Sequence, residues 1–351
     1  MVVTATPLPA LPILLATLGL TLAIALWSAV PRGHSRQVRL KVLMRAFLPS
    51  RMLRSASGRL DVVAFLFAIL FATMTLGWAL VSANWWAGRT AALIGPAPVT
   101  LPAWVVTPMA TVALFLTYEL AYWGYHLLSH RVAWLWAFHK VHHSAESLSL
   151  LTNFRVHPVD TIIFYNVAAL MTGVVGGLIA PLNGQAGQWT VGNANLLVFT
   201  SSILLSYLQH SHLWISWPGR LGRWLMSPAH HQLHHSVEQR HHGHNFGSTL
   251  SLFDRMAGTL LLPTRRRQRL RFGVEDAGDA PHGFKDAVLR PFGEAIRTLS
   301  PHRPASVVRK MSAKMSDGGS TTERSARVDP ASSPRLWRLD TLGEHMDAAG
   351  P

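Results

Sequence analysis

Residues 139–144 read HKVHHS and residues 231–236 read HQLHHS. Each stretch is a His-x-x-His-His cluster, built from His139, His142 and His143 and from His231, His234 and His235. A His-x-x-x-His pair, His126 and His130, precedes the first. Of the 19 histidines, 15 fall between His126 and His244. On a helix, residues three and four apart share a face, so each cluster presents up to three imidazole nitrogens to one region. Clusters and pair together supply eight imidazoles, and His210, at the end of an apolar run, is a natural ninth.

A structural zinc site takes about four ligands and a catalytic one about three. This set exceeds one ion and suits two, held in a mostly nitrogen shell. Imidazole suits iron, zinc, copper or nickel. A redox metal beside a lipid-facing cavity can activate O2, which favours iron. Carboxylate-rich di-iron bundles use Glu-x-x-His motifs, and zinc peptidases use His-Glu-x-x-His; neither stands in these clusters. A lone His-x-x-x-His pair is more often structural than ligating. The ordered set of two clusters and a pair is specific.

The elements that must position these imidazoles are apolar. Hydrophobic residues make up 49% of the chain and charged ones only 14%, against about a quarter charged in soluble proteins. Apolar runs at 9–30, 62–84, 103–125, 159–182 and 190–209, the first two without any charge, read as membrane helices. The first reads as a retained anchor, because no Lys or Arg precedes it. The stretch 31–61 holds eight basic residues, with Asp61 its one acid, and is expected to be a cytoplasmic loop. The stretch 85–101, with Trp85 and Trp86, is expected to be an outer loop. Counting crossings from an outside N-terminus brings every histidine cluster to the side of the basic loop. Gly173, Gly176 and Gly177 would let helices pack closely. Whether 159–182 and 190–209 both cross fully is left open by hydropathy. The net charge of +15 fits anionic lipid heads better than nucleic acid, because the basic residues flank apolar runs. With no cysteine, thiolate metal sites and disulfides are excluded.

The expected fold class is therefore all-α: a multi-span membrane helical bundle with a cytoplasmic, histidine-rich helical cap that holds a dinuclear metal site. Its parts are N-terminal transmembrane helices and the basic loop (1–101), a catalytic region (102–262), a basic membrane-surface segment containing TRRRQRLR (263–300), and a disordered tail (301–351). Glu119, seven residues before His126, is a carboxylate inside an apolar run and a candidate for the metal's surroundings. His157, His212, His230 and His244 are further candidates for that outer layer, and His241 and His242, like His212 and His244, read either as part of it or as ordinary polar residues. His34, His282, His302 and His345 lie outside the cluster and read as incidental.

The segments YWGYHLLSH (122–130), WLWAFHKVHHS (134–144), RVHP (155–158), SPAHHQLHHS (227–236) and NFGSTLSLFDRMAGT (245–259) resemble the fatty acid hydroxylase / sterol desaturase superfamily. The resemblance covers about residues 115–260. It implies an integral membrane di-iron oxygenase with two iron ions and O2 as co-substrate. Its metal ligands would fall on His126, His130, His139, His142, His143, His231, His234 and His235, with His210 as a further one. Asn245, Gly247, Asp254 and Gly258 match the closing motif, which would shape the floor of the site. Leu127, His212 and His244 depart from residues common in that superfamily and leave the subfamily, and so the substrate, open.

The implied activity is hydroxylation or desaturation of a sterol, fatty acyl chain or related lipid. No haem-binding HPGG motif is present, so the electron donor is expected to be a separate protein: a ferredoxin, a cytochrome b5-like carrier or a reductase. The rival class is a histidine-rich membrane metal-binding or transport protein. A transporter would spread its ligands along a path through the bilayer.

Overall fold

The computed structural model describes residues 54–299, apart from 77–80, 184–186, 192–193, 218, 275–279 and 282, together with Gly19. The 9–30 run, most of the 31–61 loop, the 301–351 tail and His34, His282, His302 and His345 lie outside the described residues. Chain contacts divide the protein into Met1–Arg303 and Pro304–Pro351. Every described residue belongs to the first unit.

The described fold is helical. Helix α1 spans Ala56–Leu76, α2 Ala83–Ile94, α3 Ala103–Arg131, α4 Ala133–His143 and α5 Pro158–Ile179. After a two-stranded antiparallel hairpin, β1 Thr190–Val191 and β2 Ala194–Asn195, come α6 Leu196–Leu204, α7 Pro228–His234, α8 Leu252–Ala257 and α9 Phe284–Leu299. Short 3-10 turns at Leu150–Phe154 and Ser206–His210 flank the histidine helices.

Among the described residues, two helices are long and apolar enough to cross a membrane: Ala103–Arg131, and Pro158–Leu182 when α5 is taken with its final turn. They correspond to the runs at 103–125 and 159–182. The run at 190–209 behaves differently. Its helix α6 has nine residues, about 14 Å at 1.5 Å per residue, against a hydrocarbon core of about 30 Å. Asn195 sets its start by accepting the N–H groups of Leu197 and Val198. The Ser206–His210 turn then ends the regular helix and delivers His210.

Two expectations about the N-terminal half are corrected. The stretch 85–101 is not a loop at its start. Ser82 accepts the Trp85 N–H and caps α2, and α2 packs along α5. Gly173 and Gly177 make that contact: a Cβ on either would collide with the α2 backbone at Ala83 or Ala87. Four-residue spacing puts both glycines on one face of α5. Gly176 looks toward Ala87 and Leu114 at ordinary contact distance. The end of the basic stretch is likewise helical, because α1 begins at Ala56. Asp61 is fully buried there and pairs with Arg155 at 3.1 Å.

Arg155 ties three segments together. Its guanidinium also donates to the Ser57 carbonyl, the Val141 carbonyl and both oxygens of Ser144. Thr152 donates to the other Asp61 oxygen at 2.8 Å. A buried charge pair holds only when its remaining donors and acceptors are satisfied, and these are. The C-terminal end of α4 is thereby fixed to the start of α1.

Candidate metal centre

The nine sequence-expected histidines converge. His126, His130, His139, His143 and His234 form one group, and His142, His210, His231 and His235 form a second. Within each group the potential ligand atoms all lie within 4.8 Å of one another. The groups adjoin: the rings of His143 and His235 stack with centroids 4.3 Å apart.

Helix geometry explains how the residues are shared. In the first cluster His139 and His143, four apart, enter the five-histidine group, while His142 turns to the other. In the second cluster His231 and His235 enter the four-histidine group, while His234 crosses to the first. Adjacent residues on a helix point about 100° apart, so each His-His pair serves both groups. His126 and His130 from α3 complete the larger group and His210 the smaller.

Hydrogen-bond partners assign the ring protons. Nδ1 of His126 lies 2.8 Å from the Phe246 carbonyl, Nδ1 of His139 2.9 Å from Asp160 Oδ2, and Nδ1 of His234 2.8 Å from the His244 carbonyl. These oxygens only accept, so each Nδ1 carries the proton and each Nε2 presents a bare lone pair. The Nε2 atoms of His126, His130, His139, His143 and His234 are buried with no hydrogen-bond partner. Orphaned buried acceptors on this scale are rare in folded proteins.

The smaller group makes the same point more sharply. Nδ1 of His142 faces the Arg155 carbonyl and Nδ1 of His210 faces Asn153 Oδ1 at 2.8 Å. Both Nε2 atoms are therefore lone pairs, yet they stand 3.0 Å apart. His210 Nε2 is also 2.9 Å from His231 Nε2 and 3.2 Å from His235 Nε2. Opposed lone pairs repel. Nitrogens bound at right angles to one ion at 2.0–2.1 Å would lie about 3 Å apart. The donor set thus fits a cation in each group.

Burial keeps the imidazoles neutral, the form that binds metal. His234 is pushed down to about 3 by burial, opposed by its bond to the His244 carbonyl. His142, His143, His231 and His235 are lowered well below the ordinary histidine value by burial and then by neighbouring imidazoles.

The other candidates sit around the centre. His244 acts through its backbone carbonyl, which holds His234. Asp254 accepts the Phe246 and Gly247 N–H groups, the Thr259 hydroxyl at 2.6 Å and the Trp123 indole N–H, and so shapes the loop that presents the Phe246 carbonyl to His126. Asn245 adopts a left-handed φ of 61°. Its side chain pays for that turn by bonding the His230 carbonyl and both backbone groups of Leu261. Glu119 is buried and accepts the Thr249 and Leu250 N–H groups at 2.8 and 2.7 Å. It belongs to neither histidine group.

His230 bonds Ser227 in a capping box at the start of α7. His157 caps α5 through the Val159 N–H and reaches the Val288 carbonyl of α9. His212 and His230 join neither group. Sequence reasoning missed Asp160, Asn153 and Arg155. Asp160 is the one acid in the fourth apolar run, and that isolation was a readable signal.

Comparison with known proteins follows the same residues. The fatty acid hydroxylase family model matches residues 111–259. Alkylglycerol monooxygenase of Danio rerio is 29% identical over 153 residues, covering 41% of this chain and 29% of that protein. The Homo sapiens alkylglycerol monooxygenase is 24% identical over 161 residues, covering 44% of this chain and 31% of that protein. Ornithine lipid hydroxylase OlsE of Rhizobium tropici is 25% identical over 172 residues, covering 49% and 47%. The chain spans less than half the length of these relatives. No solved structure matches significantly. The matched region, residues 111–259, contains all nine converging histidines, and over it the chain is similar to the fatty acid hydroxylase family.

Proposed function

We propose that the protein is an O2-dependent membrane lipid hydroxylase or desaturase. Two iron ions would be held by His126, His130, His139, His143 and His234 and by His142, His210, His231 and His235. The observation that carries this reading is the pair of convergent imidazole sets at one end of the apolar helices, with five of the nine rings held so that Nε2 is the bare nitrogen. α3 delivers His126 and His130 at its C-terminal end. α5 starts beside the same centre, where Asp160 holds His139. Both helices therefore meet the metal site at one level, which supports a site at the membrane boundary. The basic stretch at 31–61 supports a cytoplasmic side for that boundary.

The metal pair supplies oxygen activation when bound. The chain's own residues orient and shield. Asp160 and the carbonyls of Phe246, Arg155 and His244 fix the tautomers of His139, His126, His142 and His234, which aims those four lone pairs inward. The Phe246 ring lies against His126, His130 and His234, with centroids 5.6, 5.3 and 5.5 Å away, and keeps water from that side. Tyr118, Tyr122 and His126 are four residues apart and share a face of α3. Tyr122 is 5.5 Å from His126 and 5.6 Å from Phe164 of α5. This aromatic wall runs from the apolar part of α3 up to the histidines and suits a long alkyl chain.

The relatives named for alkylglycerols and ornithine lipids support a membrane lipid as substrate. Reducing equivalents would come from a separate protein such as a ferredoxin, a cytochrome b5-like carrier or a reductase. Purified protein tests the reading: about two irons per chain, no haem absorption, and 18O from labelled O2 in hydroxylated lipid are expected. Stoichiometric haem, or turnover with zinc and no O2, would sink it.

A further inference from the structure

We propose that α9 is a membrane-interface helix that lies on the lipid surface and seats the histidine cap there. The helix has three sectors. Small residues Ala287, Pro291 and Ala295, each four apart, are buried against the protein. Charged residues fill a second sector: Arg290 bonds Glu294 at 3.0 Å, and Glu294 bonds Lys140 of α4 at 2.7 Å. The third sector is apolar and faces outward. Leu289, Phe292, Ile296 and Leu299 are 56%, 44%, 64% and 66% exposed. Their spacing of three, seven and ten residues makes one continuous stripe.

A helix that packs through alanines and spends its large apolar side chains outward has an apolar phase outside it. Its position says which. The buried face of α9 meets Ala137 and Phe138 of α4, with Trp134 and Val159 beside them. Farther along, Ala287 and Phe284 pack with Leu60 of α1 and Val141 of α4. Phe284 also stands 5.0 Å from Phe67 of α1. Val159 is in the first turn of α5, the more apolar of the two candidate spans. The stripe therefore lies where an apolar helix meets the polar histidine cap. That is the level of the lipid headgroups and upper acyl chains. Exposed Lys285 in the first turn can reach headgroup phosphates.

The seat matters to the metal site because α9 is bolted to α4. Phe138, next to His139, packs on Phe292 at 5.3 Å. His157 donates to the Val288 carbonyl at 2.9 Å.

The absence of cysteine makes the test clean. Single cysteines are placed at Leu289, Phe292, Ile296 and Leu299, with Gly293 and Arg297 as controls on the charged side. Each full-length variant is nitroxide-labelled in nanodiscs of phosphatidylcholine and phosphatidylglycerol. The stripe should be accessible to O2 and shielded from a nickel chelate, and the controls should show the reverse. Nickel access along the stripe would mean that it faces water. Protection from both reagents would mean that another protein surface, or a second copy, covers it. Either result overturns the proposal. Quenching of a bimane label by brominated lipid repeats the measurement where a nitroxide perturbs the helix. The readout needs no iron and no turnover, so it stands or falls separately from the proposed chemistry.

Discussion

The two histidine groups are built from the same motif but are backed differently. In the five-histidine group His139 leans on a carboxylate, Asp160, which also accepts the Tyr125 hydroxyl. In the four-histidine group the partners of His142 and His210 are neutral: the Arg155 carbonyl and the Asn153 amide oxygen. A carboxylate behind an imidazole raises its basicity as a ligand. The smaller group relies instead on crowding, with His210 Nε2 held 2.9–3.2 Å from the Nε2 atoms of His142, His231 and His235 by the fold. One site is tuned by charge and the other by position. If each group holds an ion as proposed, the two should therefore differ in affinity, although both motifs read alike.

The largest expected effect comes from removing one ligand of each kind. His142→Ala and His234→Ala should each abolish turnover and lower bound iron, while the protein still inserts in the membrane. Normal iron content and turnover in either variant would strike that residue from its group.

Next is the scaffold behind the smaller group. Arg155→Met strands the buried Asp61 carboxylate and should cost about 3–5 kcal/mol in unfolding. The Val141 carbonyl and Ser144 also lose their partner, so in refolded protein the four-histidine ion should be lost first. Mössbauer spectra that show equal loss from both sites would erase the proposed difference in support.

Asp160→Asn probes the other side. It should weaken metal binding about 10–100-fold, confined to the five-histidine group and read by chelator competition. An equal weakening of both sites would mean that the carboxylate acts on the whole cluster.

The pH dependence bears on both groups at once. The metal-free protein holds His142, His143, His231, His234 and His235 neutral through burial, whereas the unfolded chain protonates them near pH 6.5. The unfolded state then binds more protons, so stability is full above about pH 6.5. It should fall by about 1.4 kcal/mol per pH unit for each such histidine below that. Both groups are largely buried in one unit, so one cooperative transition is expected in chemical denaturation. Two separated transitions would show that one group protonates within a folded protein.

Much of the centre was readable in the chain. Two repeated clusters and a pair named the nine imidazoles, because helical periodicity forces residues three and four apart onto one face. The runs at 103–125 and 159–182 announced long apolar helices for the same local reason. The run at 190–209 stayed open in the sequence, since hydropathy does not register that Asn195 and the turn at Ser206 bound a helix of nine residues. The α2 helix was hidden because its stability comes from packing on Gly173 and Gly177, which its own composition does not display. Asp61 was read with a solvated loop, although its partner Arg155 is 94 residues away.

The sequence alone determined which atoms could bind metal and that long apolar helices precede them, since residue type and local period carry that information. Only the tertiary structure decided which histidine joins which group and which oxygen holds each ring. The resulting division between a carboxylate-backed and a neutral site followed from the same source. Those choices arise where helices cross, between residues such as His139 and Asp160 whose meeting no local pattern encodes.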